Sequence, residues 1–293
     1  MKSAPLKVLF DSGARVHSDL LEGASIDHSL MWGDRRVSHP VVGYVRKKSG
    51  STEEQQSEID ALFTIGRLIR EGRIQAYSSH EIQIELMRGR MRTPDLNAFE
   101  GCEFSDCPPA LYRSKFRSTI NFEETISKGG KKDRKKGGSD FTQIGFMSWL
   151  VDLEPRSVEL IPKYKKELNL TNFEVESLGD LDWFRALSSK LRSKENLPDA
   201  FHVWTARRNE MDIFLTLDGK LSNSIKAIRS EKKLSIDLPP KTLLPRDLLA
   251  SIGITSYDDI PIKPDTFYYL HDIRRIKQNQ AVDTSATSRR VSP

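Results

Sequence analysis

The run Pro198-Asp199-Ala200-Phe201-His202-Val203-Trp204-Thr205-Ala206, followed by Ile213-Phe214-Leu215-Thr216-Leu217-Asp218, constrains the fold more than any other part of this 293-residue chain. Asp199 opens a helix, a short apolar strand follows, and Asp218 stands where that strand ends. Helices alternating with buried strands build a parallel sheet, and ligands bind at the carboxyl ends of such strands. The two carboxylates, nineteen positions apart, are therefore expected at one place.

The alternation extends along the chain. Leu6–Phe10 reads as a buried strand stopped by Asp11-Ser12-Gly13. Residues 14–50 mix Gly, His, Pro and charge, and are expected to be irregular with one strand at Val41–Val45. A helix starts at Ser51 or Thr52 and runs on Ile59, Leu62, Phe63, Ile65 and Ile69 to Gly72. A strand at Ile74–Tyr77 and a helix capped by Ser78 or Ser79 follow. Further on, one helical period covers Phe173–Leu191, and Ile213–Leu217 and Leu234–Leu238 read as strands around a helix at Leu221–Ile228. Leu248, Leu249 and Ile252 predict one more short helix. The expected architecture is α/β, a three-layer α/β/α domain over residues 1–275 with a mostly parallel central sheet. Residues 89–170 read as a basic insertion, anchored by the apolar stretch Ile144–Leu153, and residues 276–293 as a disordered tail.

Four acids fall where this pattern gathers side chains: Asp11, Glu85, Asp199 and Asp218. Such a cluster of oxygen donors suits Mg²⁺ or Mn²⁺ and is costly to keep empty because like charges repel. Metal-assisted phosphodiester hydrolysis is the chemistry such a set would serve. Each acid also has a plain structural role open to it, as helix cap, turn residue or solvated helix position. Asp212 precedes its strand and belongs at the wrong sheet edge. His202, one turn after Asp199, reads as a packed helix residue. The chain has no GxxxxGK[ST] loop, no G-x-S-x-G elbow, and no second His after His80-Glu81 to make a zinc-protease helix.

Leu6-Lys7-Val8-Leu9-Phe10-Asp11-Ser12, Tyr77-Ser78-Ser79-His80-Glu81-Ile82-Gln83-Ile84-Glu85-Leu86, Asp199-Ala200 with Thr205-Ala206, and Phe214-Leu215-Thr216-Leu217-Asp218 resemble the successive motifs of PIN-domain nucleases. Leu243-Leu244-Pro245-Arg246-Asp247-Leu248-Leu249 is similar to the family's usual ending. The resemblance covers residues 5–88 and 172–255. It implies a PIN-like Mg²⁺- or Mn²⁺-dependent ribonuclease, with Asp11, Glu85, Asp199 and Asp218 as catalytic and metal-binding acids. Thr216 matches the hydroxyl residue two before the last acid. Gly13 stands where the family often carries Asn, and Glu81 lies one turn before Glu85 on the same helix face, where it competes for the ligand role.

Composition bears on the partner. Net charge is +5 and the pI about 9.1, which leans towards polyanions. Arg88, Arg90 and Arg92, near the Glu85 helix, are candidates for holding a phosphate backbone. Lys131, Lys132 and Lys135, in the tract Lys128–Gly138, are candidates for guiding nucleic acid to the site. RNA is the expected partner, DNA the alternative, and an inhibitor protein would restrain a free endonuclease. A non-catalytic nucleic-acid-binding protein of the same fold is the competing reading. No window approaches 18 apolar residues, so no membrane partner and a cytoplasmic location are expected. Cys102 and Cys107 make at most half a zinc site. Nothing in the sequence sets the oligomeric state.

Overall fold

The computed structural model describes residues 4–48, 50–88, 96–116, 143–230 and 239–278. In chain order the main elements are β1 (Leu6–Phe10), α1 (Ser12–Val16), β2 (Leu21–Trp32), β3 (Arg35–Arg46), α2 (Glu53–Arg70), β4 (Ile74–Ser79), α3 (His80–Arg88) and β5 (Phe104–Cys107). There follow α4 (Gln143–Asp152), α5 (Pro155–Leu160), α6 (Asn172–Gly179), α7 (Leu181–Leu191) and α8 (Leu197–Arg208). The last are β6 (Ile213–Leu215), α9 (Gly219–Ser230), β7 (Lys241–Leu243) and α10 (Pro245–Ser251).

Five strands form one parallel sheet in the order β5-β4-β1-β6-β7. β1 is central because its apolar residues are covered on both faces. Leu9 and Phe214 join one core with α4, α7 and α8, whereas Val8, Phe10, Ile213 and Leu215 join the other with α2 and α10. That alternation is the period of two of a strand written into a continuous apolar run. From β1 the connections run outward in opposite directions, to β4 on one side and β6 on the other. In open parallel sheets ligands bind at such a reversal, which here lies at the carboxyl ends of β1 and β6.

α2 forms as expected, with the Thr52 side chain accepting from the Gln55 N–H and an apolar stripe facing the sheet. Elsewhere the sequence expectations need correcting. The strand expected at Val41–Val45 forms within β3, but residues 21–40 are not irregular: the range 21–46 makes a long antiparallel hairpin, β2 with β3, turned at Gly33-Asp34. Its strands do alternate, but His, Gly and Pro disguised the pattern. The single helix expected at Phe173–Leu191 is broken after Gly179, and its first part is fixed by a reciprocal Thr171–Glu174 capping box. The strand expected at Ile213–Leu217 ends at Leu215, although the Thr216 N–H still donates to the Leu243 carbonyl at 3.1 Å.

Within the stretch read as an insertion, β5 completes one edge of the sheet, and α4 packs Phe146, Met147 and Leu150 into the main core. The strand expected at Leu234–Leu238 lies outside the described residues, and β7 takes the sheet edge just after it. Residues 270–278 are helical and pack Ile273 and Ile276 beside Leu20 and Leu21, so the helix enters the stretch read as a tail. Residues 279–293 lie outside the described residues. Among the described residues no helix is long and apolar enough to cross a membrane.

Candidate active site at the sheet crevice

Asp11 follows β1 directly. Its N–H donates to the Leu215 carbonyl at 2.9 Å, and it stands at the N-cap of α1. Its Oδ2 accepts from the Thr216 hydroxyl at 2.9 Å, and Thr216 Oγ1 in turn accepts the Asp218 N–H at 3.0 Å. Asp218 Oδ1 accepts the N–H groups of Lys220 and Leu221 at 2.7 and 3.1 Å, capping α9. One continuous chain of hydrogen bonds therefore joins the end of β1 to the start of α9. Asp218 itself remains exposed.

Glu85, on α3, is held from three sides. Oε2 accepts from Ser12 Oγ at 2.7 Å, while Oε1 accepts from Gln143 Nε2 at 2.5 Å and meets His202 Nε2 at 2.9 Å. His202 is 1% exposed, lies on α8 three residues after Asp199, and has Phe214 against its ring. Asp199 sits in the first turn of α8, beyond Asn196 at the N-cap.

The charges are coupled. Burial alone would lower the His202 pKa, but Glu85, Asp11 and Asp199 raise it to about 9. Burial works against the Glu85 carboxylate too, yet His202, Gln143 and Ser12 bring it down to about 2. Burial raises Asp11, as does Glu85, against the opposing pull of His202 and Thr216. Asp199 is pushed up to about 7 by burial, then by Asp11, Asp218 and Glu85, with His202 opposing. At neutral pH the site thus carries a buried imidazolium among carboxylates, one of them poised to exchange a proton.

The four predicted acids arrive from four separate segments, and Asp199 feels the charge of the other three. They do not close into a ready cage: among the described residues no group of three or more His, Cys, Asp or Glu has a metal-holding arrangement. Glu85 is engaged by His202, and Asp218 by the α9 backbone. Glu81 is engaged elsewhere, buried against the Arg113 guanidinium at 3.4 Å. Asp212 lies at the opposite sheet edge, accepting the Lys7 N–H at 2.8 Å. Arg88 is half-buried and donates to Gln143 Oε1 at 2.9 Å, so it braces the amide that holds Glu85. Arg90, Arg92, Lys131, Lys132 and Lys135 lie outside the described residues.

Sequence reasoning missed His202 as a charged member of the site, and missed Gln143 and Ser12 altogether. The spacing Asp199–His202 puts both on one helix face and could have exposed the first. Gln143 carries no local signal, being 58 positions from Glu85. No protein-family model matches the chain, and no characterised protein or solved structure matches it significantly.

Proposed function

We propose that the chain is a divalent-metal-dependent nuclease of PIN-like build that hydrolyses phosphodiester bonds, with RNA as substrate ahead of DNA. The carrying observation is the convergence of Asp11, Asp199, Asp218 and Glu85 at the sheet's crevice, with Asp199 raised to about 7 by burial and its acidic neighbours. A half-buried carboxylate whose pKa its acidic neighbours raise further, as at Asp199, marks a place short of positive charge. The strand order, and the chain order of the acids, support the PIN-like reading.

The donor set fits a hard cation: Asp11, Asp199 and Asp218 would hold Mg²⁺ or Mn²⁺ through oxygen. Such an ion, when bound, supplies Lewis-acid stabilisation of charge on phosphodiester oxygens. The chain's own residues do the rest. Thr216 orients Asp11 through a hydrogen bond to Oδ2. Ser12, Gln143 and His202 fix both oxygens of Glu85. Asp199, pushed up to about 7 by burial and its acidic neighbours, would ionise fully once a cation offsets their charge.

The second reading is a non-catalytic nucleic-acid-binding protein, and His202 favours it, because its imidazolium already offsets part of the carboxylate charge. Cleavage of labelled single-stranded RNA and DNA in Mn²⁺, Mg²⁺ or EDTA, with Asp199→Asn alongside, separates the two. Metal-dependent cleavage lost in Asp199→Asn supports the nuclease. Absence of cleavage, with binding intact in EDTA, supports the binding protein.

A further inference from the structure

The β2–β3 hairpin projects an apolar face that no other described residue covers beyond its base. Directly opposed residues share a face, and one face carries Ile26 with Val41, His28 with His39, and Leu30 with Val37, ending in Trp32 and Arg35 at the tip. Trp32 is 78% exposed, Val37 46%, Leu30 40% and Ile26 39%. Residues 30–40 are all exposed. At the inner end the same face is covered: a Cβ at Gly43 would run into the Phe267 ring, so glycine is needed for that close approach. The face is thus built to be packed upon, and the described residues cover only its base. An isolated two-stranded ribbon is marginal in water, and among the described residues the outer rows have no third layer.

We propose that this face packs against the same face of a second copy of the chain, about a two-fold axis through the His28–His39 pair. Four observations favour a second copy over other occupants. Charge is balanced across residues 24–42, with Asp27 and Asp34 against Arg35 and Arg36, whereas an arm for nucleic acid would be basic. The rows are self-complementary: an axis at His28–His39 sets Leu30 and Val37 of one copy on Ile26 and Val41 of the other. The same axis brings the tip, Trp32 with Arg35, to Ala24 and Gly43 of the other copy, beside Phe267 and short of Glu22, an acid for Arg35. Edge-to-edge growth along β3 is disfavoured, because Pro40 has no N–H to offer an added strand and Tyr44 is already bridged to Tyr268. Finally, a stable dimer needs ~800 Å² per partner, and Phe267, packed at Gly43 with the Tyr269 ring against it, extends the apolar face at its base.

The test is sedimentation velocity on the full chain from about 1 to about 100 μM, comparing wild type with the double variant Leu30→Ser, Trp32→Ser. Both positions are exposed, and circular dichroism checks that the variant is folded. The expected result is a wild-type dimer that weakens at least ~10-fold in the variant. Under oxidation His28→Cys should cross-link two copies, and Ser25→Cys, on the opposite face, should not. A wild type that stays monomeric at the highest concentration overturns the proposal. So does a dimer that the double variant leaves unchanged, or equal cross-linking through both faces. A monomer whose double variant loses RNA affinity overturns it in favour of a nucleic-acid arm.

Discussion

Replacing His202 by Gln keeps a hydrogen-bond donor near Glu85 but removes the positive charge. The His202 pKa rises from 6.5 to about 9 on folding, and the Glu85 pKa falls from 4.5 to about 2. These are two views of one interaction, so they are not added. At about 1.4 kcal/mol per pKa unit, the net shift, with burial and the pull of Asp11 and Asp199 included, is worth ~3 kcal/mol. Because His202 binds its proton more tightly in the folded state, this stabilisation is complete below pH 6.5. It fades as pH rises through 9. On the acid side the Glu85 carboxylate contributes fully above pH 4.5 and loses its contribution as pH falls towards 2. Urea unfolding of wild type and His202→Gln at pH 6, 8 and 10 measures the difference directly. The gap should be ~3 kcal/mol at pH 6 and shrink by pH 10 to what packing alone leaves. A gap that stays constant with pH would refute the ion pair, leaving a plain cavity effect in its place. With a typical stability of ~5–15 kcal/mol, the variant should still fold.

Other expected outcomes follow from the same geometry. Thr216→Val removes the bridge between Asp11 and the Asp218 N–H and should cost ~1–3 kcal/mol in chemical denaturation, with cleavage reduced beyond what unfolding explains. Arg113→Met leaves the Glu81 carboxylate buried without its partner and should cost ~3–5 kcal/mol in thermal melts. Glu81→Gln, by contrast, should keep metal-dependent cleavage near wild type while Glu85→Gln loses it, which decides between the two glutamates. Asp11→Asn takes away a like charge and should lower the Asp199 pKa from about 7; carbon-13 NMR of the carboxylates in metal-free protein would read the change.

The sheet was legible because its strands are short, apolar and buried on both faces, so that Leu6–Phe10 and Ile213–Leu215 stand out from polar surroundings. The hairpin was not, because its alternation serves a face that the described residues leave mostly uncovered, and His28, His39 and Pro40 fill positions where a core strand would carry aliphatics. β5 was missed because Phe104-Ser-Asp-Cys107 is an edge strand with one exposed acid. The positions of the acids followed from strand ends and helix starts, which local sequence marks well. Their partners did not. His202 looked like a packed residue because its charge is set by Glu85, 117 positions away, and no window of sequence contains both.

The pairing of β1 with β6 has a consequence in time. Asp11 and Thr216 are 205 positions apart, and the hydrogen bond between them needs the central strand to meet one of the last. Long-range parallel pairing is slow, because chain entropy is lost before contacts repay it. During synthesis at ~5–20 residues per second, the first acid waits roughly 10–40 s before the last is made. Until then, the emerging chain carries the parts of the crevice without the crevice itself.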